Sequence, residues 1–293
     1  MPLPHILLAL LVMGLWGSNF VVQFWAVHLV PPLLFATLRF ATVCIPLLLL
    51  YPRCPTRWSL LIPYALASFT LQFALLFLAL RWGMPPGIAS LVMQSQIFFT
   101  LLLLVATGES RPLRQQWVGI CLGAVGMAWV GSTFDLGVGL IAFLMTIGAA
   151  CSWAIGNVFV KRMGSEIAAV PLVVWGSGIG ALGLLPISLA LEGSAAWNQS
   201  ISMLTSGHAE LWAYLLFNAF GASLIGYGGW SWLLKRHPAA SVVPFTLLVP
   251  FFGMGSAALF LKEAFSLEMV PGIVLALIGL ALTQVRAPGA RAA

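Results

Sequence analysis

Charge is scarce in this sequence. Its 293 residues include only 13 Lys and Arg and 7 Asp and Glu, or 7% charged, where an average soluble domain carries about 25%. So few charges cannot cover a water-soluble surface, which excludes a soluble enzyme or binding domain. Lipid removes the need, because it solvates apolar side chains on every face of a helix. Acid inside the apolar runs is also missing: Glu109 and Glu263 stand at the ends of such runs, and no Asp or Glu lies near a middle. That removes the paired carboxylates of a hydrolase, a carboxylate proton relay, and the buried acid with which a cationic-drug exporter would hold its cargo. The four cysteines (Cys44, Cys54, Cys121, Cys151) form no C-x-x-C and no ligand spacing with His5, His28, His208 and His237. Neither a metal site nor a cofactor is expected, and three of the cysteines sit in apolar runs as small hydrophobes. The formal charge of +6 is scattered over short gaps, without a stripe or interleaved aromatics, so nucleic acid is not an expected partner. No gap is long enough for a folded catalytic domain, and no enzyme activity is expected.

What the sequence has in abundance is apolar length, 61% hydrophobic residues in all. A helix needs about 20 apolar residues to cross a bilayer. Ten runs qualify, near 5–28, 31–51, 60–82, 86–107, 113–131, 138–160, 169–191, 211–233, 238–261 and 266–286. Pro31-Pro32, Pro52, Pro55, Pro85-Pro86, Pro112 and Pro238 punctuate the gaps, where proline forfeits no helical hydrogen bond. Trp25, Trp58, Trp82, Trp117 and Trp212 lie near run ends, as an interfacial aromatic belt requires. The N-terminus lacks a basic leader, so the first run reads as a permanent span.

Orientation follows from Lys and Arg. With the N-terminus cytoplasmic, Arg53, Arg57, Arg111, Arg114, Lys161, Arg162, Lys235, Arg236, Arg286 and Arg291 fall inside, and only Arg81 and Lys262 outside. Both termini are therefore expected in the cytoplasm. The longest gap, 192–210, has no Lys or Arg and is expected outside as a loop.

The two halves repeat one another. The fifth run carries Gly119, Gly123 and Gly126, and the tenth carries Gly272, Ala276 and Gly279, the same spacing 153 residues later. Offsets of four and seven place each trio on one helical face, where backbones approach closely. Each trio follows a glutamate, Glu109 or Glu263. Ala89-Ser90 opens the fourth run and Ala240-Ser241 the ninth. The expected architecture is an all-α integral membrane protein of ten transmembrane helices in two inverted five-helix repeats, 1–131 and 138–286, with a short cytoplasmic tail, 287–293. Five is odd, so one repeat inserts upside down, an arrangement recurrent in secondary transporters with the solute site between the halves.

Polar residues inside the spans nominate that site. Trp16, Asn19 and Gln23 share a face of the first helix, as do Trp153 and Asn157 on the sixth. Each of these two helices thus offers an indole and an amide, suited to an ammonium or a carboxylate; the alternative is hydrogen bonding between helices. On the fourth helix Gln94 and Gln96 should point about 200° apart. Ser90 shares the Gln94 face, so Gln94 is assigned to the cavity and Gln96 to a helix contact. Gln72 and Tyr227 are further candidates. Arg39 is the one permanent charge well inside a span; it caps carbonyls, snorkels or meets a substrate carboxylate. Pro186, Pro244 and Pro250 interrupt spans, either as plain kinks or to free carbonyls for solute or water.

Several runs resemble the EamA branch of the drug/metabolite transporter superfamily. They are Trp16-Gly17-Ser18-Asn19-Phe20-Val21-Val22, Leu91 to Thr100 around Gln94-Ser95-Gln96, Ser152-Trp153-Ala154-Ile155-Gly156-Asn157, Gly226-Tyr227-Gly228 and Leu247-Leu248-Val249-Pro250. The likeness spans nearly the whole chain, and Gln94-Ser95-Gln96 is similar to the Gln-Ala-Gln of the family's O-acetylserine and cysteine exporters. The resemblance implies a cavity lined mainly by the first, third, fourth, sixth, eighth and ninth helices, with the fifth and tenth as peripheral scaffold. It implies export of cysteine, O-acetylserine or other neutral amino acids across the bacterial inner membrane by alternating access. Ser95 and the 192–210 stretch depart from the pattern and leave the exact solute open. Proton coupling and oligomeric state are not legible. Export of drugs or other metabolites, or flipping of lipids, are the alternatives on the same fold.

Overall fold

A computed structural model describes residues 1–164 and 166–284. Arg286, Arg291 and the tail from 287 onward lie outside the described residues. Those described form helices and turns, without a strand. Helices α1 (Leu3–Leu29) and α2 (Pro32–Leu47) come first. A third rod joins α3 (Trp58–Ala65) to α4 (Gln72–Arg81) through a π-helical stretch, Leu66–Leu71. A fourth joins α5 (Pro86–Val92) to α6 (Gln96–Ala106) through a 3₁₀ turn, Met93–Ser95. Then follow α7 (Arg114–Ser132), α8 (Val138–Met163) and α9 (Ala169–Thr205). Helix α10 (Ala209–Leu216) leads through π-helical Phe217–Ile225 into α11 (Gly226–Arg236). Helix α12 (Ala239–Val242), a 3₁₀ stretch Val243–Leu247, α13 (Leu248–Leu261) and α14 (Val270–Thr283) complete the order.

Seven helices among the described residues are long and apolar enough to cross a membrane: the expected first, third, fourth, sixth, seventh, eighth and ninth spans. Helices α2 and α14 are apolar but only 16 and 14 residues long, short of the roughly 30 Å of hydrocarbon at 1.5 Å per residue. Helix α7 has 19 residues, and its Arg114-Gln115-Gln116 opening dilutes its apolar character. Trp58, Trp82, Trp117 and Trp212 are exposed, as a belt at the interface requires.

The stretch expected as the longest loop is largely helical. Gly193, at φ 80°, breaks α9 in a conformation that glycine adopts without penalty, and the helix resumes to Thr205. The break places Glu192 over the start of α2. Its carboxylate accepts the backbone N–H groups of Leu33 at 2.7 Å and Leu34 at 2.8 Å. Ser188 Oγ donates to the same carboxylate, and Trp197 Nε1 donates to Ser188 Oγ. Helix α2 begins with Pro31-Pro32 and has no cap of its own, so an acid from another helix satisfies its orphan donors and its positive dipole end. Glu263 does the same for α5, accepting Gly87 N at 3.0 Å. Glu109 pairs with Arg162 at 2.9 Å and Lys161 at 3.7 Å, fastening the end of α6 to the end of α8. The Arg162 hydrogen bond holds this carboxyl below its ordinary range.

The small-residue trios face each other across the α7–α14 contact. A Cβ on Gly126 would stand 2.6 Å from Gly272 O and 2.5 Å from Ala276 N. One on Gly279 would stand 2.6 Å from Gly119 O and 2.5 Å from Gly123 N. The obstacles are backbone atoms, which cannot rotate away. Gly279→Val should therefore cost about 1–3 kcal/mol or more, read as a lower Tm of the purified protein in detergent. Gly255→Ala, where a Cβ meets nothing within 4 Å, should leave Tm unchanged or raise it. Equal Tm values for wild type and Gly279→Val would refute this packing.

Candidate functional site

The backbone irregularities converge on one cavity of about 730 Å³. All eight residues singled out from the sequence line it: Trp16, Asn19, Arg39, Gln72, Gln94, Trp153, Asn157 and Tyr227. Residues from both π stretches and both 3₁₀ turns contribute too, through Ser68 and Phe69, Ala222, Met93, Val243 and Thr246. The cavity reaches the end of the bundle where Gln116 and Gln284 meet it.

A helix that leaves α geometry leaves carbonyls without their usual partners. Side chains donate to carbonyls in these stretches. Trp16 Nε1 donates to Ala222 O in the second π stretch at 3.0 Å, and Ser152 Oγ donates to Ala67 O in the first at 2.9 Å. Pro250 has no N–H to return to Thr246 O four residues before it; Gln94 Nε2 donates to that carbonyl instead, at 3.0 Å. The proline does free a carbonyl, and a glutamine occupies it. Thr246 Oγ1 in turn accepts from Gln284 Nε2 at 3.2 Å.

Gln94 and Gln96 were expected to diverge, with only one at the cavity, yet both line it. The reason is the 3₁₀ turn Met93–Ser95, which advances by about 120° per residue rather than 100°. Two residues then turn about 240°, which brings the side chains 40° closer than in an α-helix. Gln96 also makes the expected helix contact: its Oε1 accepts from Asn157 Nδ2 at 2.7 Å, and Thr100 Oγ1 accepts from the same nitrogen at 3.1 Å. The two amides of the repeat motif thus differ. Asn157 is tied to the fourth rod, while Asn19 Oδ1 is buried without a hydrogen-bond partner. Gln23 Oε1 and Ser68 Oγ are likewise buried and unpartnered. Gln23 was visible from its spacing to Asn19; Ser68 had no signal, because its place depends on the π stretch.

The aromatic wall is continuous. Trp16 lies 5.5 Å from Tyr227 and 5.7 Å from Trp230, centroid to centroid. Arg39 is 3% exposed, and its guanidinium carbon stands 4.5 Å from the Phe73 ring centre. Among the described residues lining the cavity it alone carries a charge. Helices outside the expected main lining contribute as well: Arg39 from α2 and Leu172 and Val173 from α9, and the two expected as peripheral scaffold reach the cavity through Gln116 at the start of α7 and Thr283 and Gln284 at the end of α14.

Comparison with known proteins decides the family. The model of the EamA-like transporter family matches residues 3–132 and again 140–285. The chain belongs to the EamA-like transporter family. A relative in Salmonella typhimurium is 40% identical over 278 residues, covering 93% of this chain and 92% of its own, and is named "probable amino-acid metabolite efflux pump". An Escherichia coli relative of the same name is 39% identical with the same coverage. A transporter of Bacillus subtilis without an assigned solute, YvbV, is 28% identical over 98% of this chain and 93% of its own. A solved crystal structure superposes with a TM-score of 0.63 over 96% of both chains at 17% identity, a likeness of fold. This EamA-like chain is a transporter and not an enzyme, a multi-pass protein of the bacterial inner membrane.

At the N-terminal end of the EamA-like bundle, a histidine pair joins α1 to the turn between α11 and α12. His5 Nδ1 and His237 Nε2 are 2.6 Å apart, which requires one ring to donate and the other to accept, so at least one is neutral. Burial, His5, the amino terminus and Arg236 all hold the His237 pKa below its ordinary value. A folded pKa below the unfolded one means stability present above about pH 6.5 and lost as pH falls through the folded value. The drop in Tm between pH 7.5 and pH 5.5 should be smaller in His237→Gln than in wild type. The same drop in both proteins would show the pair to be inert.

Proposed function

We propose that this transporter exports small amino-acid-like metabolites, cysteine, O-acetylserine or other neutral amino acids among them, by alternating access. The observation that carries the reading is the central cavity itself. It combines a Trp16–Tyr227–Trp230 wall, unpartnered amide oxygens and a single cation among its described lining residues. A zwitterion has both charges to place there. Relatives at about 40% identity are named for efflux of amino-acid metabolites. Drug export in the cationic sense is less suited to a lining whose one described charge is positive.

In this reading all ten apolar runs cross the membrane, α2, α7 and α14 included, and both termini are cytoplasmic. The halves are inverted repeats, 1–131 and 138–286. Supporting this, the π stretches fall in the third and eighth runs and the 3₁₀ turns in the fourth and ninth, the pairs that a five-helix repeat equates. With the termini inside, the cavity mouth at Gln116 and Gln284 faces the cytoplasm, and Glu192 and Glu263 fasten the far side. Trp16 and Trp153 form walls, Asn19, Gln94 and Asn157 supply polar contacts, and Gln72 and Tyr227 extend them.

The test is efflux from proteoliposomes loaded with radiolabelled neutral amino acids, with and without a proton gradient. Saturable efflux of one or more supports the reading, and its gradient dependence separates proton antiport from facilitated diffusion. Folded protein that moves none of them refutes it. Asn19→Ala should lower the rate two- to tenfold, the worth of one hydrogen bond at about 0.5–1.5 kcal/mol. Gln94→Ala should lower it at least as much, because it also takes a donor from Thr246 O. Wild-type rates in both variants would remove these residues from the site.

A further inference from the structure

Arg39 is a cation in search of a counter-charge. It is 3% exposed. Its Nη2 donates to Ser223 Oγ at 3.3 Å, while Nε and Nη1 are buried with no partner. Ser223 spends its own proton on Asn218 O at 2.9 Å, so it orients the guanidinium without neutralising it. Phe73 and Phe40 lie at 4.5 and 5.3 Å from the guanidinium carbon and fix its plane. The ion pairs among the described residues belong to Glu109, at another place in the bundle. A guanidinium taken out of water without an anion is costly. As mere packing between two phenylalanines, an apolar side chain would serve better. Its place in the cavity lining explains the cost: a carboxylate bound beside it brings the negative charge and the acceptor oxygens that Nε and Nη1 lack.

The complementary groups lie on α1. Asn19 and Gln23 are one turn apart, 6% and 3% exposed, and both Asn19 Oδ1 and Gln23 Oε1 are unpartnered acceptors at the cavity. Buried acceptors need donors, and an ammonium supplies three. We propose that Arg39 is the carboxylate anchor of the cavity and that Asn19 and Gln23 receive the solute's ammonium. The solute class is then zwitterions and anionic carboxylates, and amines without a carboxylate are rejected by the Arg39 charge. This rests on the reading of the cavity as the solute site.

Binding to the purified full-length protein tests it, with L-serine, L-lactate and L-serinamide as probes. Serinamide keeps the ammonium and loses the carboxylate; lactate keeps the carboxylate and loses the ammonium. Wild type should bind serine at least tenfold more tightly than serinamide. Arg39→Gln should lose tenfold or more for serine and lactate and little for serinamide, with a ligand-free Tm equal to or above wild type. Asn19→Ala should weaken serine but not lactate. Arg39→Lys should bind serine more weakly yet keep the preference for the carboxylate, and it decides the matter if Arg39→Gln does not fold. A carboxylate preference that survives Arg39→Gln, a lysine variant indifferent to the carboxylate, or no carboxylate binding by wild type would each overturn the anchor. If wild type binds lactate but no amino acid, the amino-acid reading fails and the anchor stands. Should amino acids bind equally to wild type and Arg39→Gln, the anchor fails and the reading stands.

Discussion

A bilayer offers the backbone no water, and that constraint organises this protein. Every carbonyl that a helix does not satisfy must find a donor from the protein. Among the described residues, π or 3₁₀ geometry interrupts the helices in four stretches, Leu66–Leu71, Met93–Ser95, Phe217–Ile225 and Val243–Leu247. Residues from all four line the central cavity. Trp16, Ser152, Gln94 and Ser223 donate to carbonyls in three of these stretches. The cavity and the repairs are thus one structure. Irregular helices make room for a solute, and two of these donors, Trp16 and Gln94, also line its wall. A variant at Gln94 cannot be read as the loss of a solute contact alone, because it leaves the carbonyl that Pro250 abandons. Asn19 carries no such second duty on its Oδ1.

The regular part of the protein complements this. Helices α7 and α14 meet backbone to backbone through glycines and an alanine, a contact with little side-chain freedom. Other close approaches bind α13 to its neighbours: a Cβ on Gly17 would stand 2.7 Å from Val249 O and 2.8 Å from Gly253 N. Interfaces of this kind move as units rather than deform. The π and 3₁₀ stretches lie outside these contacts, and the proposed alternating access has its hinges there. Inward and outward states that differ by register shifts at these places would leave the glycine contacts intact.

Much of this was legible in the sequence, for identifiable reasons. Helical spacing put Trp16, Asn19 and Gln23 on one face, and Trp153 and Asn157 on another, because those segments are regular. Small residues at offsets of four and seven announced a tight helix pair for the same reason. What failed was whatever depended on broken geometry. Gln96 was sent away from the cavity by a 100° step that the 3₁₀ turn does not take. The 192–210 stretch was read as a loop because it falls between two apolar runs, yet a single glycine at positive φ lets the helix resume. Glu192 drew no notice, since its role as the cap of α2 exists only after the fold brings together residues some 160 positions apart. Ser68 was silent until the π stretch turned it inward.

The unpaired state of Arg39 has a physical logic in a transporter. Attraction between charges strengthens as the dielectric falls, so a lone guanidinium in an apolar lining sorts solutes by sign before any shape is compared. Had the protein supplied its own carboxylate, the solute would need to break a buried ion pair to enter and the pair would re-form behind it. Selectivity by charge would be lost, because the site would be neutral to any visitor. A carrier must also release what it binds, so the anchor should be strong enough to select and still incompletely satisfied. Ser223 suits that role: it holds the guanidinium with one neutral hydrogen bond and leaves the cost of the charge standing. Its own proton is committed to Asn218 O within the π stretch, so the anchor is fastened to that stretch. A shift there would alter the orientation of Arg39 and, with it, the grip on a carboxylate. The state of the helix and the affinity of the cavity are then linked through a single serine.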